Sequence, residues 1–176
     1  MNAELTDIVA IAPDVMIDLR YGTTNNVTGK KLYKNPRAVL RYDALKALER
    51  VVASLKQQGF SLVIWDAYRP VSAQAELRKV CGDSRYVAEI SNHSKGCTVD
   101  VTLADASGAY LDMGTEFDDF SSKAHADTKA ISNIQRHNRL ILTKAMGHEG
   151  FHQHPHEWWH FDFALGKQAR VLDIEL

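Results

Sequence analysis

Trp158-Trp159-His160-Phe161-Asp162-Phe163-Ala164-Leu165, close to the end of the 176-residue chain, decides how the rest is read. In an extended chain Trp159, Phe161, Phe163 and Leu165 fall on one face, and Trp158, His160, Asp162 and Ala164 on the other. This period of two, rich in aromatics and beginning just after Pro155, predicts a half-buried strand. The choice matters because the preceding residues complete the pattern His156-Glu157-Trp158-Trp159-His160. Letter for letter that is HExxH, which on a helix sets two metal-binding histidines on one face with the glutamate as base. On a strand, His156 and His160 stand roughly 13 Å apart, too far to share an ion. A third ligand from a later segment is also poorly provided for, since Asp162, Asp173, Glu175 and the terminus are the sole carboxylates after His160. Chemistry is therefore expected from Glu157 and His160, with partners upstream.

Working outward, Cys97 to Leu103 reads as a second strand of the same kind. Cys97, Val99, Val101 and Leu103 form its apolar face, and Thr98, Asp100 and Thr102 its polar one. If the two strands share a sheet, Asp100 and His160 point into one cleft. His93 lies seven residues before Asp100, and Ser94-Lys95-Gly96 is a turn able to fold its ring back over the carboxylate. Two imidazoles and one carboxylate suit a zinc ion with a position left for water, and Glu157 at the strand's mouth is a candidate base. The plainer alternative is that Asp100 and His160 merely face solvent.

The remaining pattern predicts a strand over Val15 to Tyr21, a turn-rich segment to Gly29, and a helix from about Tyr42 to Gln58 stopped by Gly59. Ser61 to Trp65 is an apolar strand running into Asp66-Ala67-Tyr68-Arg69-Pro70. A helix over Val71 to Val80 follows, then a long one over Asp127 to Met146 ended by Gly147 or Gly150. Strands and helices mix without a strict βαβ rhythm, so the expectation is one α+β domain over residues 1–176, a mostly antiparallel sheet packed with helices.

Composition adds bounds. With 45% apolar and 24% charged residues and a formal net charge of −1, the chain reads as an ordinary globule with no electrostatic case for nucleic acid or a membrane as partner. No run approaches the ~20 apolar residues of a membrane span. The first residues, MNAELTDIVAIAPDV, lack a signal peptide's basic start and apolar stretch, so a cytoplasmic location is expected. Cys81 and Cys97 are expected to be thiols rather than a disulfide. Four of eight histidines (His152, His154, His156 and His160) crowd into nine residues, a metal hint of low specificity.

Ser91-Asn92-His93-Ser94-Lys95-Gly96-Cys97-Thr98-Val99-Asp100, with Glu157-Trp158-Trp159-His160 downstream, resembles the D-alanyl-D-alanine dipeptidases of the hedgehog/DD-peptidase group. The likeness extends to Asp18-Leu19-Arg20-Tyr21, Asn26-Val27-Thr28-Gly29, the Asp66–Pro70 motif and Met113-Gly114-Thr115-Glu116-Phe117-Asp118. The resemblance implies one zinc ion held by His93, Asp100 and His160, with Glu157 as general base and acid and Arg69 stabilising the oxyanion. It further implies that Asp118 receives the ammonium of a small D,D-dipeptide. Tyr21 and Ser91 resemble substrate-contacting positions, and Trp158 is expected to wall the pocket. The bland alternative for Arg69 is a salt bridge with Asp66, and Asp119 competes with Asp118. Cys97 stands where a small apolar residue is expected. His154 and His156 are extra and read as loop residues, with His156 a partner behind the metal ligands.

Two other activities fit the same residues. One is a cell-wall D,D-carboxypeptidase or L-Ala-D-Glu endopeptidase, disfavoured by the segment around Tyr21–Gly29 and by Asp118. The other is a zinc-containing binding module, which would require neither Glu157 nor Arg69. Antibiotic resistance through loss of a peptidoglycan precursor and recovery of D-alanine as nutrient are both open, and oligomeric state is unreadable.

Overall fold

A computed structural model describes residues 5–82, 88 and 90–176. Its centre is a five-stranded sheet built from β2 (Met16–Ile17), β4 (Phe60–Asp66), β5 (Thr98–Asp105), β6 (Phe151–His154) and β7 (Glu157–Phe163), in the order β2-β4-β5-β7-β6. Only the β2–β4 pair is parallel; the other three are antiparallel. A second, two-stranded sheet pairs β1 (Leu5–Asp7) with β3 (Val39–Arg41). The helices are α1 (Ile8–Ile11), α2 (Tyr42–Gln57), α3 (Val71–Cys81) and α4 (Asn133–His148). The α+β expectation holds, and among the described residues no helix is long and apolar enough to cross a membrane.

The helical spacing of Leu45, Leu48, Val52 and Leu55 places α2's apolar stripe in the core, where all four are buried with Val99, Val101 and Leu103 of β5. Leu142 and Met146 of α4 join the same cluster, and α4 packs against α2 and the sheet. One face of the sheet is thus sealed by helices, which leaves the residues of opposite parity for a cleft.

Several boundaries differ from those expected. The strand read over Val15–Tyr21 keeps only Met16–Ile17; Asp18 N–H still bonds to Ile64 O (2.9 Å), and then the chain coils into a 3₁₀ turn at Arg20–Gly22. The helix expected from Asp127 starts at Asn133, because Ser132 and Gln135 form a reciprocal capping box, a signal legible in Ser132-x-x-Gln135. The short elements β1, α1, β3 and β6 had no periodicity long enough to see. His154 is consequently a strand residue, not a loop one, whereas His156 lies in the β6–β7 turn. Both cysteines are free thiols.

Candidate active site

Two departures from regular pairing build the cleft. Along β4 and β5, Ile64 sits opposite Val101, but Asp66, not Trp65, sits opposite Asp100. This bulge turns Asp66 from the helix-packed face to the polar one. Asp100 is in turn opposite His160 on β7, so Asp66, Asp100 and His160 form one row across three strands. The second irregularity is on β7, where Gln153 pairs with Phe161 but the next residue, His154, pairs with Glu157. The extra residues 158–160 break strict alternation. Glu157 and Trp159 thereby line the cleft beside His160.

Trp158 must be corrected on this account. Its ring is fully buried, its Nε1–H donates to Thr115 Oγ1 (2.7 Å), and the Arg139 guanidinium lies 5.2 Å from its ring centre. The tryptophan facing the cleft is Trp159.

His93 reaches the row from a 3₁₀ turn, Asn92–Lys95, whose N-cap Ser91 accepts the His93 N–H (3.2 Å). Gly96, at φ 71, reverses the chain into β5; a Cβ there would meet Leu5 Cδ2 at 2.7 Å. His93 Nδ1 donates to the Ala67 carbonyl (2.6 Å), so Nε2 is left as an acceptor facing Asp100 Oδ1 (3.3 Å) and His160 Nδ1 (3.3 Å). His160 Nδ1 stands 3.1 Å from the same oxygen, while its Nε2 lies 3.4 Å from Asp162 Oδ1. Asp162 is itself fixed by Thr98 Oγ1–H (2.7 Å) and Asn92 Nδ2–H (3.2 Å).

Three atoms with lone pairs therefore confront each other at 3.1 to 3.3 Å. Ligands on a tetrahedral ion with bonds of ~2.0–2.1 Å are separated by roughly 3.3 Å. Asp100 Oδ1 is buried and has no hydrogen-bond donor, a costly arrangement that a cation at the centre would relieve. Both imidazoles are held by their far nitrogens in the tautomer that leaves these atoms free, as metal ligands require. Among the described residues, His93, Asp100 and His160 are the cluster with metal-ligand geometry. Cys97 is outside it, its Sγ turned to the Lys95 carbonyl at 3.8 Å.

Burial opposes ionisation of Asp100, but with the His93 and His160 rings protonated, as they can be when no cation fills the cradle, they charge-pair with the carboxyl and hold it far below its usual range. For Glu157 the compensation is too small. Burial, with Asp100 and Asp118 adding repulsion, pushes its carboxyl up to about 7 despite His160 and Arg69. Its Oε2 is 3.5 Å from His160 Nδ1 and 3.9 Å from His154 Nδ1. Desolvation pushes His154 down to about 4, so this neighbour is a neutral ring near neutral pH. His154 rather than His156 is the histidine beside His160; the His156 ring lies against His125.

Arg69 makes the salt bridge with Asp66 and also lines the cleft. Its Nε and Nη2 lie 2.8 Å from Asp66 Oδ2, Nη1 donates to Gln74 Oε1 (2.8 Å), and Nη2 reaches Asp100 Oδ2 (3.3 Å). Tyr33 O–H also donates to Asp66 (2.5 Å). The salt bridge thus orients the guanidinium on the cleft wall. The Tyr21 ring lies 4.7 Å below it, and the Tyr21 hydroxyl donates to Asp118 Oδ1 (2.9 Å). Asp118 Oδ2 accepts Val27 N–H (3.1 Å). Desolvation pushes Asp118 up to about 6, against these hydrogen bonds. It is the one non-glycine at positive φ (60°) among the described residues, strain of a kind that clusters at functional positions. Tyr21, Arg69, Ser91, Asp118 and Glu157 all line the cleft with His93, Asp100 and His160, whereas Asp119 does not.

Sequence reasoning missed Asp162, Asp66 and Gln74 as participants. Asp162 was reachable, since it lies two residues from His160 on the same face. Asp66 was seen only as an ion-pair partner, because its facing depends on the bulge.

A sheet cleft that sets a buried carboxylate and an arginine beside a candidate cation cradle is the equipment of a hydrolase. The model of the D-ala-D-ala dipeptidase family, a peptidase family, matches residues 1–171. The chain belongs to that family. It is 41% identical over 174 residues to the D-alanyl-D-alanine dipeptidase of Escherichia coli K12, covering 97% of this chain and 90% of that one. The enzyme of that name from Enterococcus faecalis is 31% identical, over 82% and 83% of the two chains. That of Streptomyces coelicolor is 30% identical over 92% of each.

Proposed function

We propose that the protein is a zinc-dependent dipeptidase that hydrolyses D-alanyl-D-alanine to free D-alanine. The observation that carries this reading is the cradle of His93 Nε2, Asp100 Oδ1 and His160 Nδ1, with its buried, donorless oxygen, next to Glu157. The family's printed description and the names of the relatives supply the substrate. A zinc ion held there would lower the pKa of water and polarise the scissile carbonyl.

The chain's own residues do the rest. Glu157, poised near neutrality, takes a proton from the attacking water and delivers it to the leaving amine. Arg69, a permanent charge already oriented by Asp66 and Gln74, stabilises the negative oxygen that develops on the substrate. Asp118 pairs with the substrate's free ammonium, and Tyr21 holds that carboxylate in place. Ser91, beside His93, contacts the substrate's carboxylate end. The cleft is about 200 Å³, smaller than the ~300–1,000 Å³ sites of larger ligands, which favours a dipeptide over a cell-wall strand.

The test is a substrate panel with the zinc-loaded protein: D-Ala-D-Ala, L-Ala-L-Ala, N-acetyl-D-Ala-D-Ala and a muropeptide. Free D-Ala-D-Ala should be cleaved and its N-acetylated form spared. Equal cleavage of both would point to a carboxypeptidase, and no hydrolysis at all to a binding module.

A further inference from the structure

Arg139 lies outside the cleft, yet all three nitrogens of its guanidinium group donate hydrogen bonds. It projects from the second turn of α4 and is buried, at 5% exposure. Its Nε donates to the Met113 carbonyl (2.7 Å), Nη1 to that of His125 (3.2 Å) and Nη2 to that of Lys123 (3.2 Å). These three carbonyls belong to the two ends of a single loop, whose middle is Asp118.

Neighbouring residues of α4 extend the clasp. Asn138 Nδ2 donates to Asp112 O (2.9 Å) and Gln135 Nε2 to Asp112 Oδ2 (2.8 Å). Within the loop, Phe117 packs on Tyr21, Trp65 and Trp159 at ring separations of 5.4 to 5.8 Å. Trp158, stacked on Arg139, ties Thr115 to the strand carrying Glu157.

Among the described residues no carboxylate bonds to this cation; Asp119 and Asp112 act on it only at a distance, and burial lowers its pKa to about 10. An apolar side chain would fill the same space without that desolvation cost. What an apolar side chain cannot do is tie three carbonyls with one rigid fork of donors. The charge therefore serves loop geometry more than stability. The strained backbone at Asp118 (φ 60°) needs such outside determination, since strain persists only where surroundings over-determine it.

We propose that Arg139 is the positioning residue of the ammonium subsite: by clamping both ends of the 113–125 loop it holds Asp118 where the substrate's amine must sit. The inference rests on the dipeptidase reading above. It touches binding, not bond cleavage, so it separates KM from kcat.

The test is steady-state kinetics of the full-length, zinc-loaded Arg139→Ala protein on D-Ala-D-Ala. KM should rise on the order of tenfold while kcat stays within about threefold, as loss of uniform binding requires. Zinc content should be unchanged. Low-millimolar guanidinium chloride should bring KM back, whereas equal sodium chloride should not. A fall in kcat at constant KM, or failure of guanidinium to rescue, overturns the proposal. Should Arg139→Ala not fold, Arg139→Lys replaces it, with an intermediate KM expected and an unchanged KM overturning. If the unmodified protein does not cleave D-Ala-D-Ala, it is the functional reading that falls. Hydrogen exchange over residues 113–125 then decides the positioning role: faster exchange in Arg139→Ala supports it and unchanged exchange overturns it.

Discussion

Glu157 is a carboxyl kept at 7% exposure with no Lys or Arg bonded to it among the described residues, and its chemistry and its cost come from the same burial. A group whose pKa rises from its ordinary 4.5 to about 7 on folding binds its proton more tightly in the folded state. Its contribution to stability is fully present below pH 4.5 and lost as the pH rises through 7. At 1.36 kcal/mol per pH unit, the loss has a ceiling of roughly 3 kcal/mol. Glu157→Gln should therefore stabilise the metal-free protein by up to that amount at pH 8, and hardly at all at pH 4, while abolishing hydrolysis and retaining the metal. Urea denaturation at the two pH values checks it; an equal effect at both would contradict the buried-carboxylate account.

Between elements, the decisive contacts are those that hold loops to helices. Gly114 adopts φ 90°, and a Cβ there would stand 2.9 Å from Gln135 Oε1 and from Ile131 Cγ2. Gln135 Oε1 also accepts Ser132 N–H in the capping box of α4, so a methyl at position 114 disturbs both the loop and the helix start. Gly114→Ala should cost about 1–3 kcal/mol of stability and raise KM through Asp118. Gly147, inside α4 with nothing within 4 Å of its would-be Cβ, should behave oppositely: Gly147→Ala should gain about 0.5–1 kcal/mol. Paired urea titrations read both signs. The Asp66–Pro70 motif shows how one short segment serves several elements. Ala67 O orients His93, Arg69 O accepts Ser94 Oγ–H (2.8 Å), and the Tyr68 hydroxyl holds the tail through Leu172 O and both backbone groups of Ile174.

For the molecule as a whole, the cation cradle joins a turn and two central strands that the chain brings together from positions 93 to 160. An ion bound there acts as a cross-link present only in the folded state. At a thousandfold excess over Kd it adds about 4 kcal/mol, which for a chain of this size raises the melting temperature by roughly 10 °C. Chelation should remove that increment, and His93→Ala should abolish the response to added zinc. Identical melting curves with and without chelator would place the metal elsewhere.

How far the chain could be read without its fold depended on the range of the physical signal. Helices α2 and α3 and strands β4, β5 and β7 were legible because apolar period is a local property, and side-chain parity alone set Asp100 opposite in kind to Val99 and Val101. The pairing of His93, Asp100 and His160 was legible through residue spacing and family likeness. The boundaries of α4 and the short β1, β3 and β6 were not, since capping and strand pairing outweigh weak periodicity there. Parity failed at Trp158 and Trp159, and could not have placed Asp66, for one reason: a bulge changes which face a side chain takes, and its place is set by strand pairing, a contact between distant segments. Asp162 behind His160 and Arg139 behind Asp118 likewise became partners only on folding. The Trp158–Leu165 stretch is a strand only as far as Phe163, with Ala164 and Leu165 in a 3₁₀ turn, and the direction in which its first residues point was decided by β6 and β5 beside it.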